Sequence, residues 1–200
     1  MVENYMRQSP LAPLGLNARA AGFAADAEFG ITLAERQVPG QIGLRLDASN
    51  KTLLELAEKA LGLPLAITAN TANSKANKTC LWLGPDEWLV IAPRPLIDKL
   101  QTALQDHHAA VFDVSDSRIV ISLSGSNARD VLKKGCGLDL HPRVFGPGQC
   151  ASSTLSMAHV LIHQTATDSY NLFVHRSFAQ YLWAWLEDAG GEYGVGISVD

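Results

Sequence analysis

Paired cysteines are missing from the 200-residue chain: Cys80, Cys136 and Cys150 are widely spaced, odd in number and form no C-x-x-C. They are expected to be reduced thiols in a reducing compartment, packed as small apolar fillers. A basic excess is missing too. Sixteen Lys and Arg against twenty Asp and Glu leave a formal net charge of −4 and a pI near 5.8, which gives no field to hold a phosphate backbone or an anionic membrane. No nucleic acid and no membrane partner is therefore expected. The beginning of the chain has no long apolar run, because prolines interrupt Leu11 to Leu16. Neither a signal peptide nor a spanning helix is expected there, and the expected location is the cytoplasm.

Chemical fingerprints are equally scarce. Gly125, Gly135, Gly137, Gly146 and Gly148 do not space as G-x-G-x-x-G or as a phosphate loop. His159 and His163 lie four apart, but STLSMAHVLIHQT alternates like a strand, where such residues stand roughly 13 Å from each other and cannot chelate one ion. Asp113, Asp116 and Asp168, with Ser115, Ser117 and Ser124, offer carboxylates and hydroxyls. Asp and Ser between two strands commonly close a turn on their own backbone, and no base, nucleophile and orienting group assemble. No residue is assigned as catalytic, cofactor-binding or metal-ligating.

What is present is a well-punctuated globular chain, 47% hydrophobic and 18% charged. Residues 1–25, with Tyr5, Met6, Leu11, Leu14, Leu16 and Phe23, lack periodicity and read as an arm that orders on a partner. Alternation at Phe29, Ile31, Leu33 and again at Ile42, Leu44, Leu46, around Val38-Pro39-Gly40, predicts a hairpin. Ser49 or Asn50 caps a helix through Leu61 that Gly62 stops. The polar run Asn70 to Lys78 predicts a mobile loop, and the Gly84-Pro85-Asp86 turn a second hairpin. Pro95 opens a helix with Leu96, Ile97, Leu100 and Leu104 on one side.

The second half repeats this plan. Strands are expected over Val111–Val114 and Ile119–Leu123, a helix over Asn127–Lys134, a long strand from Ala151 to His163, and another from Tyr170 to Val174. The last helix has Ser177 and Gln180 as a capping box and an apolar stripe of Phe178, Tyr181, Leu182, Trp185 and Leu186, which leaves Trp183 outside it. GLRLDASN (43–50) matches VISLSGSN (120–127). Asp86, Trp88, Val90, Arg94, Leu96 and Leu100 match Asp168, Tyr170, Leu172, Arg176, Phe178 and Leu182 at a constant offset of 82. The fold class is therefore α+β, two ferredoxin-like lobes with antiparallel-rich sheets and helices on one face. The expected divisions are an arm at 1–25, a first lobe at 26–106 and a second at 107–200.

At VFDVSDSRIVISLSGSNARDVL (111–132) the sequence resembles the aminomethyltransferase-type folate-binding fold of the glycine-cleavage T-protein, and the likeness extends through SYNLFVHRSFAQYLWAWL (169–186). More narrowly, SPLAPLG (9–15), LWLGPDEWLVIAP (81–93) and RSFAQYLWAWLEDAG (176–190) are similar to the γ-subunit family of heterotetrameric sarcosine oxidases. One short stretch departs from the folate-using relatives. Where they carry acidic residues near the start of a strand, this chain has Ala158 and His159, so the resemblance implies a fold that has lost its proton-handling carboxylate.

The narrower resemblance implies a non-catalytic subunit of a flavin-dependent complex that converts sarcosine, tetrahydrofolate and O2 to glycine, 5,10-methylenetetrahydrofolate and H2O2. Its partners would be large flavoprotein α and β subunits and a small zinc-binding δ subunit. FAD, FMN, NAD and tetrahydrofolate would sit in those partners and none in this chain. Alternatives are the equivalent subunit of an N-methylglutamate-type dehydrogenase, or a free-standing folate-binding protein.

Overall fold

The structure is a computed structural model that describes residues 8–24 and 27–199. A 3-10 turn over Ala12–Leu14 leads into α1 (Leu16–Ala21), then β1 (Ile31–Arg36), β2 (Gln41–Leu46), α2 (Lys51–Leu61), β3 (Ala72–Lys75), β4 (Lys78–Gly84), β5 (Glu87–Ile91) and α3 (Pro95–Leu104). The second half holds β6 (Ala109–Asp113), β7 (Arg118–Ser124), α4 (Ala128–Lys133), β8 (Cys150–Leu155), β9 (Ala158–Ala166), β10 (Ser169–His175), α5 (Ala179–Gly190) and β11 (Val195–Ile197). Local chemistry accounts for several boundaries. The Asn50 side chain accepts from the N–H groups of Thr52 and Leu53, and Gly62 ends α2 at φ 64°, a left-handed conformation that suits glycine. Pro95 sits in the first turn of α3, where its missing N–H costs nothing.

The strands form two sheets, ordered β11-β1-β7-β10-β9-β8 and β3-β4-β5-β2-β6. All pairings are antiparallel except β1 with β11. Helices α2 and α3 cover the outer face of the five-stranded sheet, where Leu53, Leu61, Leu100 and Leu104 pack on Ile42, Leu44, Trp88 and Val90. Helices α4 and α5 cover the outer face of the six-stranded sheet, with Val131, Leu182, Trp183 and Leu186 on Ile31, Ile121, Ile162 and Leu172. The inner faces meet over a smaller apolar layer of Leu81, Leu89, Ile91, Val120, Cys150, Leu161 and Phe173. The order across the molecule is thus helices, sheet, sheet, helices. One margin is closed by Ala72 N–H donating to Gly148 O and Cys150 N–H to Asn70 O.

This is the expected α+β plan, and the repeat has a spatial counterpart: β4-β5-β2 in one sheet corresponds to β9-β10-β7 in the other. The hairpin expected of β1 and β2 does not form. Residues 37–40 carry the chain from one sheet to the other, so β1 pairs with β7 while β2 pairs with β5 and β6. In the repeat, 114–117 make the reverse crossing, so each half lends its first strand to the other's sheet. Sheet membership consequently crosses residue 107: a cut there separates β6 from β2 and β1 from β7. Where β6 lies on β2, the Phe112 ring rests on Gly43, and a Cβ at Gly43 would stand 2.2 Å from it.

Five other expectations need correction. Within Asn70 to Lys78, residues 72–75 form β3, a polar edge strand paired with β4. The long strand from Ala151 is two strands, β8 and β9, joined by a tight turn with Ser156 at φ 52°. Ser177 lies inside a 3-10 turn before α5 and makes no capping bond, and the Gln180 amide donates to Pro10 O. The buried stripe of α5 is Ala179, Leu182, Trp183, Leu186 and Ala189, so Trp183 is fully buried and Trp185 only partly, the reverse of the expectation. Phe178 and Tyr181 are exposed. Tyr5 and Met6 of the expected arm lie outside the described residues. Residues 8–24, however, are seated on the chain itself: Leu11 is fully buried in the α5-side core, Arg176 donates to Gln8 O, and Ser9 donates to Glu35. Burying one leucine contributes about 2 kcal/mol, which helps to offset the cost of ordering the segment.

Candidate functional site

The polar residues of the two inner faces come together around the crossings. Gln41 opens β2 and Arg118 opens β7, at equivalent places in the repeat. The Gln41 side chain is buried, its Nε2 donates to Arg118 O at 2.8 Å, and its Oε1 has no partner among the described residues. Gln41 N–H donates to Ser115 Oγ at 3.0 Å and Val114 N–H donates to Gln41 O at 2.9 Å, which ties the two crossings to each other. The DVSDS run is a turn, as its composition implies. Ser115 N–H and Oγ both donate to Asp113, and Ser117 Oγ donates to Val114 O. Arg94 approaches Asp113 at 3.6 Å and Asp116 at 3.8 Å. Asp113 and Asp116 therefore have structural partners, and Asp168 lies in the turn between β9 and β10 where its carbonyl accepts from Gly125 N–H.

From Arg118 a row of side chains crosses the inner face of the six-stranded sheet. Arg118 pairs with His175, Thr154 pairs with His159, and the neighbouring pair Val174 and Val160 sets the register between them. This row lines a cleft of about 490 Å³ with Glu87, Leu161 and Phe173. Ala158, the other residue at the departure from the folate-using pattern, points the opposite way and is fully buried in the α5-side core. His159 faces the open cleft, so at this point the cleft presents an imidazole. Glu87 lies across it, engaged by Arg45 at 2.9 Å.

Further along the inner face, His163 is buried. Burial, and secondarily the Arg36 charge, push its pKa down to about 4, so the ring is neutral near pH 7. His159 and His163 are on one strand face as expected; among the described residues no three His, Cys, Asp or Glu side chains converge as a cation cage. Burial raises the Cys80 thiol to about 12 and the Cys150 thiol to about 11, which keeps both protonated and unreactive. No disulfide joins the cysteines. Among the described residues, no helix is long and apolar enough to cross a membrane.

Gln41, Arg36 and Arg118 were not singled out by the sequence. A signal for the covered face existed, because Trp88-Leu89-Val90-Ile91 and Val160-Leu161-Ile162 are apolar at successive positions, as in strands buried on both sides.

In overall fold, the four-layer α+β chain is similar to part of an aminomethyltransferase. The fold likeness to the glycine cleavage system aminomethyltransferase T from Bartonella henselae has a TM-score of 0.59 at 14% identity, covering 95% of this chain and 51% of that one. The chain belongs to the sarcosine oxidase gamma subunit family, whose family model matches residues 45–192. It is 36% identical to sarcosine oxidase subunit gamma of Corynebacterium sp. strain U-96 over 95% of this chain and 93% of that one, and 37% identical to the protein of the same name from strain P-1. Its structure is similar to a chain in the heterotetrameric sarcosine oxidase of Corynebacterium sp. U-96, with a TM-score of 0.84 and coverage of 94% and 96%.

Proposed function

We propose that this chain is the γ subunit of a heterotetrameric, flavin-dependent sarcosine oxidase and does no chemistry of its own. The observation that carries this reading is the near end-to-end likeness, in sequence and in shape, to subunits of that name. The site supports the non-catalytic part. In the cleft His159 pairs with Thr154 and His175 pairs with Arg118, and the carboxylate among the lining residues, Glu87, is engaged by Arg45. General acid–base work needs a group held in place by an orienting partner, and among the described residues no carboxylate hydrogen-bonds or ion-pairs with His159 or His175. Oxidation of sarcosine with transfer of the one-carbon unit to tetrahydrofolate is then the work of the α and β partners. Those partners hold FAD, FMN, NAD and folate, and a δ subunit carries zinc.

The test is co-expression of the chain with the large flavoprotein subunits of a heterotetrameric sarcosine oxidase. It should co-purify with them in fixed stoichiometry and carry no flavin when expressed alone. A chain that stays monomeric in the presence of those subunits would overturn the reading.

A further inference from the structure

Four arginines from distant parts of the sequence line one cavity of about 240 Å³ at the crossings between the sheets. Arg36 ends β1, Arg94 precedes α3, Arg118 opens β7 and Arg176 follows β10. The carboxylates in the lining are Glu35 and Asp116. Glu35 accepts from Ser9 and Asp116 lies 3.8 Å from Arg94, so the cations outnumber the carboxylates in a chain that is acidic overall. Arg94 is held by Asp113 and Asp116, Arg176 donates to Gln8 O at 2.7 Å, and Arg36 reaches Asn171 at 3.4 Å. The half-buried Arg118 guanidinium makes no hydrogen bond or ion pair among the described residues. The carboxylate whose charge it feels is Glu87, which is paired with Arg45. Beside it, the buried Gln41 leaves Oε1 unpartnered among the described residues, an acceptor that the O–H of a protonated phosphate or a ligand-bound water can satisfy.

Partly desolvated arginines are a costly way to fill space, because burial disfavours their charged form, as it does for Arg118. They become favourable when an oxyanion supplies the opposite charge and accepts from their planar donor forks. We propose that this cavity is a binding site for a small oxyanion, phosphate or a short dicarboxylate, held by Arg118 with Arg36 and Arg176 and linking the two crossings. The volume is below the roughly 300–1,000 Å³ of drug-sized ligand pockets, which sets the size of the ligand. The same chemistry can come from a free anion or from a partner's carboxylate side chain seated in the cavity.

The test is titration calorimetry of inorganic phosphate and of succinate, in Tris buffer at fixed ionic strength, into the full chain and into the assembled complex. The free chain should bind at least one of the two saturably. Arg118→Gln should weaken that binding at least tenfold with the thermal unfolding midpoint of the anion-free protein preserved. Asp116→Asn, on an exposed residue, should tighten it at least threefold by removing a competing carboxylate. Binding by both the chain and the complex assigns the site to a free anion, and binding by the chain alone assigns it to a partner carboxylate. No saturable binding of either probe, or binding indifferent to both substitutions, overturns the proposal.

Discussion

The outer cores and the layer between the sheets are made by the two faces of the same strands, yet they follow different rules. Beneath the helices, β2 presents Ile42, Leu44 and Leu46, and β10 presents Leu172 and Val174, all buried in continuous apolar clusters. On the inner side the same strands present Gln41, Gly43 and Arg45, or Asn171, Phe173 and His175, and among the described residues a cluster of seven buried apolar residues holds the centre. Apolar burial at about 25 cal/mol per Å² places most of the stabilisation outside. The inner layer keeps Arg36 and Arg45 exposed and Arg118 half-buried, with little apolar burial around them. The difference separates the residues that specify the architecture from those free to acquire or lose a function.

The sharpest attack on this comparison is at Trp183, fully buried under α5. Trp183→Ala should cost about 4 kcal/mol in denaturant unfolding, the usual scale for emptying an aromatic site in a dry core. A cost under about 1 kcal/mol would show that the outer core is not the main store of stability. Next in size is the pH response of His163 in the inner layer. Its imidazole has a pKa of about 4 in the folded chain against 6.5 unfolded, so as pH falls the unfolded state takes up the proton first. The stabilisation is complete above about pH 6.5, is lost as pH falls toward 4, and changes no further below that. The full swing is about 3 kcal/mol. His163→Gln should flatten this part of the stability profile, and an unchanged slope would place the titration elsewhere. The smallest effect is expected at Trp185, partly exposed and lying over Gly135. Trp185→Ala should cost about 1 kcal/mol, and a cost equal to that of Trp183→Ala would erase the distinction between the two faces of the helix.

Features decided by neighbouring residues were readable in advance. The Asn50 cap and Gly62 stop of α2, the turn at Gly84-Pro85-Asp86, and the DVSDS turn each depend on a few adjacent groups. The offset of 82 residues correctly aligned β5 with β10 and α3 with α5. The strand exchange was not readable, because Val38-Pro39-Gly40 turns a chain equally well into a hairpin or into another sheet. The turn at Ser156-Met157 was hidden because it uses neither Gly nor Pro, and β3 because an edge strand tolerates a polar sequence. On α5, Trp183 and Trp185 are two residues apart and cannot share a face. The choice was made by Ala179, Ala189 and Gly190, small residues whose close approach to the sheet carries little hydrophobic signal. The inner polar layer escaped notice for a related reason: alternation assigns Gln41 and Arg118 to a polar face, and a second sheet covers that face.

The central claim is that this chain supports a reaction it does not perform, and sarcosine oxidation measured per flavin tests it most directly. The isolated chain should show no turnover, and the complex assembled with His159→Asn should oxidise sarcosine within twofold of the unaltered complex. Turnover by the chain alone, or a hundredfold loss on changing His159 in a complex of normal flavin content, would contradict the account.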